Sequence, residues 1–452
     1  MRRVLKWLGI GVAGLFGLAV LGYGVLLVIN WPDEPVSETA QAYLDLLEEL
    51  REPPLEGNGF FYLAGMTAAS DEDPWDLARE WREWMELPTS ERLDTDEPLG
   101  PAMGPDSEWI AGLHDYAHAC RAADVECIEL LEAEYEAVRR GLMDAAPLFD
   151  RYELLMGLPL WREQIVDDVV GLIAMTSFTA INLSRMNGIR AWVLAKEGET
   201  EAALGLMEQE ASFWRDVLAG KISEDWIWSI PWVLRNNLSW TNQILSLQQH
   251  ELETGVPSAW QVPLSQAERD MRVNHAVDVS RMLNILDDYD TSGFSLWHKL
   301  QFVIQESLYQ PRATANRLAE YYEKVDETMR LPYPGIRQAL DEISTEEREQ
   351  GRLFHLYNPI GNMLYEVSIY SGVIPLWFGV NDLEGARRAL LLAHELRTEG
   401  VAPEDVAAYL EDASLRDPYT GEAFTWDAEA GAISYQGMGR RPYSFPLAYP
   451  GI

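Results

Sequence analysis

Residues 7 to 29, WLGIGVAGLFGLAVLGYGVLLVI, run for 23 residues without a charge. Coiled as a helix, such a run reaches about 34 Å, enough to cross the hydrocarbon core of a bilayer. Arg2, Arg3 and Lys6 precede it, and Trp31, Asp33 and Glu34 follow it. Basic flanks stay in the cytoplasm, so the pattern predicts a cytoplasmic tip and a single-pass anchor in residues 1–30, with residues 31–452 on the far side. A cleaved signal peptide is the competing reading, because Gly22-Tyr23-Gly24 is a small-x-small triplet. The apolar run continues past that triplet and outlasts a usual signal core, which favours an uncleaved anchor. Two later apolar stretches, 169–181 and 363–380, are too short or are interrupted by Glu366 and Pro375. They are expected to be buried helices of a soluble domain.

Acids outnumber bases by 73 to 35, a net charge of −38, and without Arg2, Arg3 and Lys6 the remainder carries −41. A surface of that sign repels nucleic acid and anionic headgroups, so no nucleic-acid partner is expected. Only 5 of the bases are Lys. That bias suits a protein bathed in high salt, and a GC-rich genome favouring Arg codons produces it too.

Helical signals dominate the chain. Ser37 reads as the N-cap of SETAQAYLDLLEEL, and Asp73 with Pro74 opens DPWDLAREWREWMEL. A Pro/Gly-rich connection follows, and Ser107 restarts the helical pattern. Breaks at Pro159, Gly198, Gly220, Gly255, Pro263, Gly293, Pro332-Pro334 and Pro359 then punctuate amphipathic segments up to about Gly400. These signals give an all-α class with four parts: the anchor (1–30), an N-terminal segment of two helices and its connection (31–106), a main helical domain (107–412) and a C-terminal hairpin with its tail (413–452). Two stretches read as tetratricopeptide-like helical hairpins, with Gly198 and Ala202-Ala203 in one and Gly385-Ala386 in the other as the small residues of close helix packing. The expectation is an irregular array of antiparallel hairpins without a fixed period.

The tail, DPYTGEAFTWDAEAGAISYQG (417–437), reads as a small β-hairpin, with strands around 423–426 and 433–435 and a turn near Gly431. Its D-P-x-T-G-x-x-F-x-W pattern, after a helix carrying RRALLLAHEL, resembles the tail of uncharacterised exported bacterial proteins. NGFFYLAGM (Asn58 to Met66) is similar to an early segment of membrane-anchored proteobacterial proteins. The resemblance implies a bacterial inner-membrane protein with its bulk in the periplasm, or a periplasmic or secreted one if the anchor is cleaved. It brings no activity and no catalytic residue.

Three constellations are candidates for function. HDYAH places His114 and His118 one helical turn apart, as two zinc ligands must be, with Asp115 one carbon shorter than the general base of H-E-x-x-H. The same helix offers an apolar stripe of Ile110, Leu113, Ala117 and Cys120, which the two histidines would simply flank. Cys120 and Cys127 lie about 10 Å apart on a continuous helix, too far for a disulfide, but can close if Asp124 caps a new helix. Trp226, Trp228, Trp232 and Trp240, beside Asp225, could form an aromatic surface for glycans. Stripes of Ile227, Ile230, Leu234 and Leu238 and of Trp226, Val233 and Ile244 instead argue that this helix is packed on both faces. With no phosphate, dinucleotide, haem or nucleophile motif, no cofactor is expected. The expected role is binding or scaffolding a protein partner in the envelope; the alternative is an exported hydrolase of glycan or peptide.

Overall fold

The computed structural model describes residues 2–69, 71–87, 91–92, 95, 98, 112–120, 123–165, 175–222, 224–248, 255–286, 295–350, 356–371, 373–437 and 442–447. It is 69% helix and 4% strand, an all-α protein with a small C-terminal sheet. Helix α1 (Arg2–Ile29) contains a 20-residue apolar stretch, Ile10–Ile29, none of it buried in the protein, long and apolar enough to span a membrane.

The helices that follow start where local chemistry predicts. Ser37 caps α2 (Glu38–Glu48) by accepting from Ala40 N at 3.1 Å. Asn58 caps the wholly buried α3 (Gly59–Gly65), and Asp73 caps α4 (Pro74–Met85) with proline in its first turn. Four short helices come next: α5 (His114–Ala119), α6 (Val125–Ala133), α7 (Tyr135–Asp144) and α8 (Ala146–Met156). The chain then builds its centre from α9 (Met175–Lys196), α10 (Thr200–Ala219) and α11 (Glu224–Ser246). Gly198, with φ +91, turns α9 into α10, a conformation that costs glycine nothing.

Beyond α12 (Ser258–Gln261) and a 3-10 turn at Ala267–Arg269 come α13 (Arg272–Asn284), α14 (Leu296–Ser307), α15 (Pro311–Met329), α16 (Tyr333–Gln350), α17 (Pro359–Ser371), α18 (Val373–Thr398) and α19 (Val406–Asp412). Helix α18 lies against α11, and α2 lies against α13 and α15. One continuous hydrophobic core runs from Ala40 to Leu447. The breaks read from sequence fall between helices or in their first turns, while Gly293 and Ser107 lie outside the described residues.

The C-terminal hairpin is larger than expected. Strands β1 (Thr425–Asp427), β2 (Ala432–Gln436) and β3 (Pro442–Pro446) form an antiparallel sheet in the order β1-β2-β3, with Trp426 opposite Ile433 and Ile433 opposite Phe445. The third strand escapes a sequence reading because prolines bracket it, and an edge strand is where a sheet tolerates proline. Gly385 also has a different role from the helix packing expected of it. A Cβ there would lie 2.3 Å from Cε2 of Tyr435, so the missing side chain seats the β2 ring on α18, and the Tyr435 hydroxyl donates to Asp382 O at 3.1 Å. Of the other small residues, Ala203 and Ala386 are buried and Ala202 is exposed. Met363 and Val367, expected inside a buried helix, are exposed on α17.

Gly188 makes one of the closest approaches in the core. A Cβ on it would lie 2.0 Å from Cδ1 of the Trp240 indole, so α9 and α11 meet at that ring. Gly188→Ala is expected to destabilise the fold by about 1–3 kcal/mol, because the ring has to move. Gly205→Ala on α10, which faces open space, is expected to be neutral or to stabilise by up to about 1 kcal/mol through helix propensity. Thermal unfolding of the two variants checks this; an unchanged midpoint for Gly188→Ala contradicts it.

Candidate functional site

The structure separates the sequence candidates. Leu113, Ala117 and Cys120 are buried, so α5 packs on the stripe they form. His114 and His118 stand at its outer edge, with Asp115 3.6 Å from His114 Nδ1. No group of three His, Cys, Asp or Glu placed to hold a metal occurs among the described residues. Ile110 lies outside those residues.

Cys120 and Cys127 form a disulfide across a Cα separation of 4.9 Å. Helix α5 stops at Ala119 and Asp124 caps α6, its carboxylate accepting from Cys127 N at 2.9 Å. The new cap brings the sulfurs together where a continuous helix would have held them apart.

The aromatic surface loses two members, Trp240, wholly buried against Gly188, and Trp226. Trp226 is buried, packed edge-on to Trp161 at 4.8 Å between centroids and stacked on Trp214. Trp228 and Trp232 remain exposed, Trp228 edge-on to Phe178 at 5.7 Å. Helical geometry explains the split: residues 228 and 232 share a face, and residue 226 lies well round the helix from both. The acid beside them, Asp225, belongs to the residues whose side chains are not described.

Two constellations have no signature in sequence. The first is a buried carboxyl, Glu210 on α10. Its Oε1 accepts from the Tyr152 hydroxyl at 2.8 Å and its Oε2 from Asn237 Nδ2 at 2.8 Å. Trp214 Nε1 donates to the Tyr152 hydroxyl at 2.9 Å, and Trp260 Nε1 to Asn237 Oδ1 at 2.8 Å. The network joins α8, α10, α11 and α12 and is closed to solvent. Burial pushes the Glu210 carboxyl up to about 7, against the hydrogen bonds that favour its charged form.

The second constellation is a cleft between α2, the turn at Ala267–Arg269, α13 and α15. Two cavities of 320 and 460 Å³ share Arg272, Asp326 and Arg330 in their walls, and Arg269 joins the smaller and Tyr43 the larger. Asp326 Oδ2 accepts from the Tyr43 hydroxyl at 2.6 Å, and burial followed by this carboxylate raises that hydroxyl above the usual phenol range. His275 Nδ1 lies 3.0 Å from Asp326 Oδ1, out of line for a hydrogen bond, and its ring stacks on Tyr322 at 4.0 Å. Arg272 binds both oxygens of Asp270. Burial alone would raise the Asp270 carboxyl, but these hydrogen bonds outweigh it and hold it below its usual range. The Arg269 guanidinium covers the Tyr333 ring at 4.7 Å, with Nε and Nη1 buried and without hydrogen-bond partners.

Two other arginines pin the rim. Arg215 grips Glu268 and donates to Val262 O at 3.1 Å and Pro263 O at 3.0 Å. Arg387 pairs with Glu384 and donates to Trp260 O at 3.1 Å. Segment 259–268 is thereby fixed against α10 and α18, and Arg269 and Arg272 follow it directly. Guanidinium forks held on fixed elements suit a carboxylate or another oxyanion.

Comparison with family models, with curated proteins and with solved structures finds no match to this chain.

Glu210 yields a pH prediction. Its folded form holds a proton that the unfolded chain releases near 4.5. The resulting stabilisation is complete below that pH and is lost as pH rises to about 7. Wild type is therefore expected to lose stability relative to Glu210→Gln across that window, by an amount on the order of 3 kcal/mol. Unfolding midpoints of both proteins against pH check this; parallel curves contradict it.

Proposed function

We propose that this chain is a single-pass protein of a bacterial inner membrane, with its N-terminus in the cytoplasm and residues 31–452 in the periplasm, and that it binds an acidic segment of another envelope protein at the smaller cavity of the cleft, beside Arg269, Arg272 and Arg330. The observation that carries the binding reading is the gathering of Arg269, Arg272 and Arg330 at one cleft in a chain where acids outnumber bases 73 to 35. The smaller cavity sets these three arginines against Asp270 and Asp326, an excess of one base, whereas Asp45, Glu49, Glu323 and Glu327 make the larger cavity acidic; in a chain that repels anions elsewhere, the smaller cavity is where an anionic partner can sit.

The location rests on the exposed apolar stretch Ile10–Ile29 and on Arg2, Arg3 and Lys6 at one end against Asp33 and Glu34 at the other. The likeness of NGFFYLAGM and of the C-terminal D-P-x-T-G pattern to exported, membrane-anchored bacterial proteins agrees with it. Tetratricopeptide-like helical hairpins, of the kind read at Gly198, present grooves of this sort to extended partners. A tether raises the local concentration of any partner in the same membrane.

Crosslinking of the full-length protein in its own host, followed by purification and mass spectrometry, tests the reading against Arg330→Glu. Arg330 is exposed on the cleft rim, so its reversal leaves the core intact. One stoichiometric envelope partner is expected with wild type, with recovery reduced about tenfold or more in the variant, because a charge-assisted contact becomes a repulsion. Equal recovery from both proteins contradicts the assignment of the cleft.

A further inference from the structure

Helix α14 buries none of its residues. Leu296 is 87% exposed and Trp297 64%, and Leu300, Val303 and Ile304 are also open. Their spacing gathers all five within about 120° of the helix circumference, a continuous apolar stripe. Gln301 and Gln305 lie away from it. Lys299 and Glu306 balance each other, so this helix lacks the excess negative charge of the rest of the chain. Ser295 caps its start by accepting from His298 N at 3.3 Å. Twelve-residue helices gain most of their stability from packing an apolar face, and among the described residues nothing buries this one.

The position of α14 identifies what covers it. The Ser307 hydroxyl, at its C-terminal end, donates to Ile304 O at 2.8 Å and lies 2.7 Å from the Tyr23 hydroxyl, which therefore donates to it. Three residues on, Gln310 Nε2 donates to Asn30 O. Tyr23 precedes Asn30 by seven residues, about 10 Å along the axis of α1. The end of α14 thus lies at the depth of Tyr23, inside the apolar stretch Ile10–Ile29. Trp31, 83% exposed, stands beside Asn30, and so does exposed Leu356, whose carbonyl accepts from Asn30 Nδ2 at 3.0 Å.

We infer that α14 lies in the interfacial layer of the outer leaflet, with its apolar stripe in lipid, as a second membrane contact beside the anchor. The inference rests on the anchor reading, since Tyr23 supplies the depth. Trp297 and Trp31 supply the indoles favoured at that level, and a helix with an apolar face and no net charge enters it without electrostatic attraction to the headgroups.

Full-length protein with its disulfide closed, carrying Val303→Cys or Gln305→Cys labelled with an environment-sensitive nitrobenzoxadiazole dye, is reconstituted into phosphatidylcholine vesicles and floated. Shallow doxyl-labelled lipid is then added as quencher. The floated protein is expected to show a blue-shifted dye at position 303, quenched at least about twofold more than at 305, because the two positions point to different sides of one helix. Equal quenching at both positions in floated protein overturns the inference. A blue shift at 303 without lipid quenching does so too, and places a second copy or another protein on the stripe. Protein that fails to float overturns the anchor and this inference with it.

Discussion

The Asp33 carboxylate caps a helix to which it does not belong. Helix α15 begins at Pro311, and its own flanking residue, Gln310, makes no side-chain cap. Asp33 reaches across from just beyond the anchor, accepting from Arg312 N at 2.9 Å and Ala313 N at 3.1 Å. A carboxylate there satisfies two orphan amides and meets the positive end of the helix dipole, contributing about 0.5–2 kcal/mol. Its neighbours reinforce the joint. Asn30 is held by Gln310, Leu356 and Asn358, and Asn316 donates to Pro35 O at 2.9 Å while accepting from Ser37 N at 2.7 Å. What would otherwise be a loose tether is bolted along its length to the first two turns of α15.

That joint makes α15 a strut. One end is capped by the anchor segment, and the other, some 28 Å away along the axis, carries Asp326, Met329 and Arg330 into the cleft. Helix α2, which follows the joint directly, brings Tyr43 back onto Asp326. The opposite wall is held by Arg215 and Arg387, each pairing with a buried glutamate and gripping backbone carbonyls of one loop. Buried ion pairs of this kind add little net stability, but removing one partner strands a charge, so they specify where a loop sits. Helix α1, strut and cleft are therefore one mechanical unit, and on the proposed reading of α1 as an anchor its insertion would set the direction in which the cleft faces.

How much of this the sequence disclosed follows from the range of each interaction. Ser37 and Asp73 are legible as caps because a cap acts on amides two or three residues away; Asp124 is legible only as one of two alternatives, and the disulfide follows from the one the chain takes. Helix α1, long and apolar enough to cross a membrane, is legible from length and composition alone. The cleft is not, since Tyr43, Arg272 and Asp326 come from three distant segments and each reads alone as one more polar residue on a helix. Glu210 looked like any of 73 acids; only the surrounding tyrosine, asparagine and tryptophan reveal its burial. Trp226 stands beside Trp228 and Trp232 in sequence, and helical rotation parts it from them. The role of Asp33 was hidden in the same way: its position after the anchor marked a membrane flank, and its partner amides lie some 280 residues on.

The coupling of anchor to domain is tested most directly by a distance distribution. Spin labels at Val28→Cys on the anchor and Gln338→Cys on α16, measured by pulsed electron resonance in vesicles, should give one narrow distribution that broadens when Asp33 is replaced by alanine. A broad distribution in the otherwise unaltered chain, of the kind a flexible linker produces, would mean that the domain swings freely on its anchor and that the joint at Asp33 does not hold.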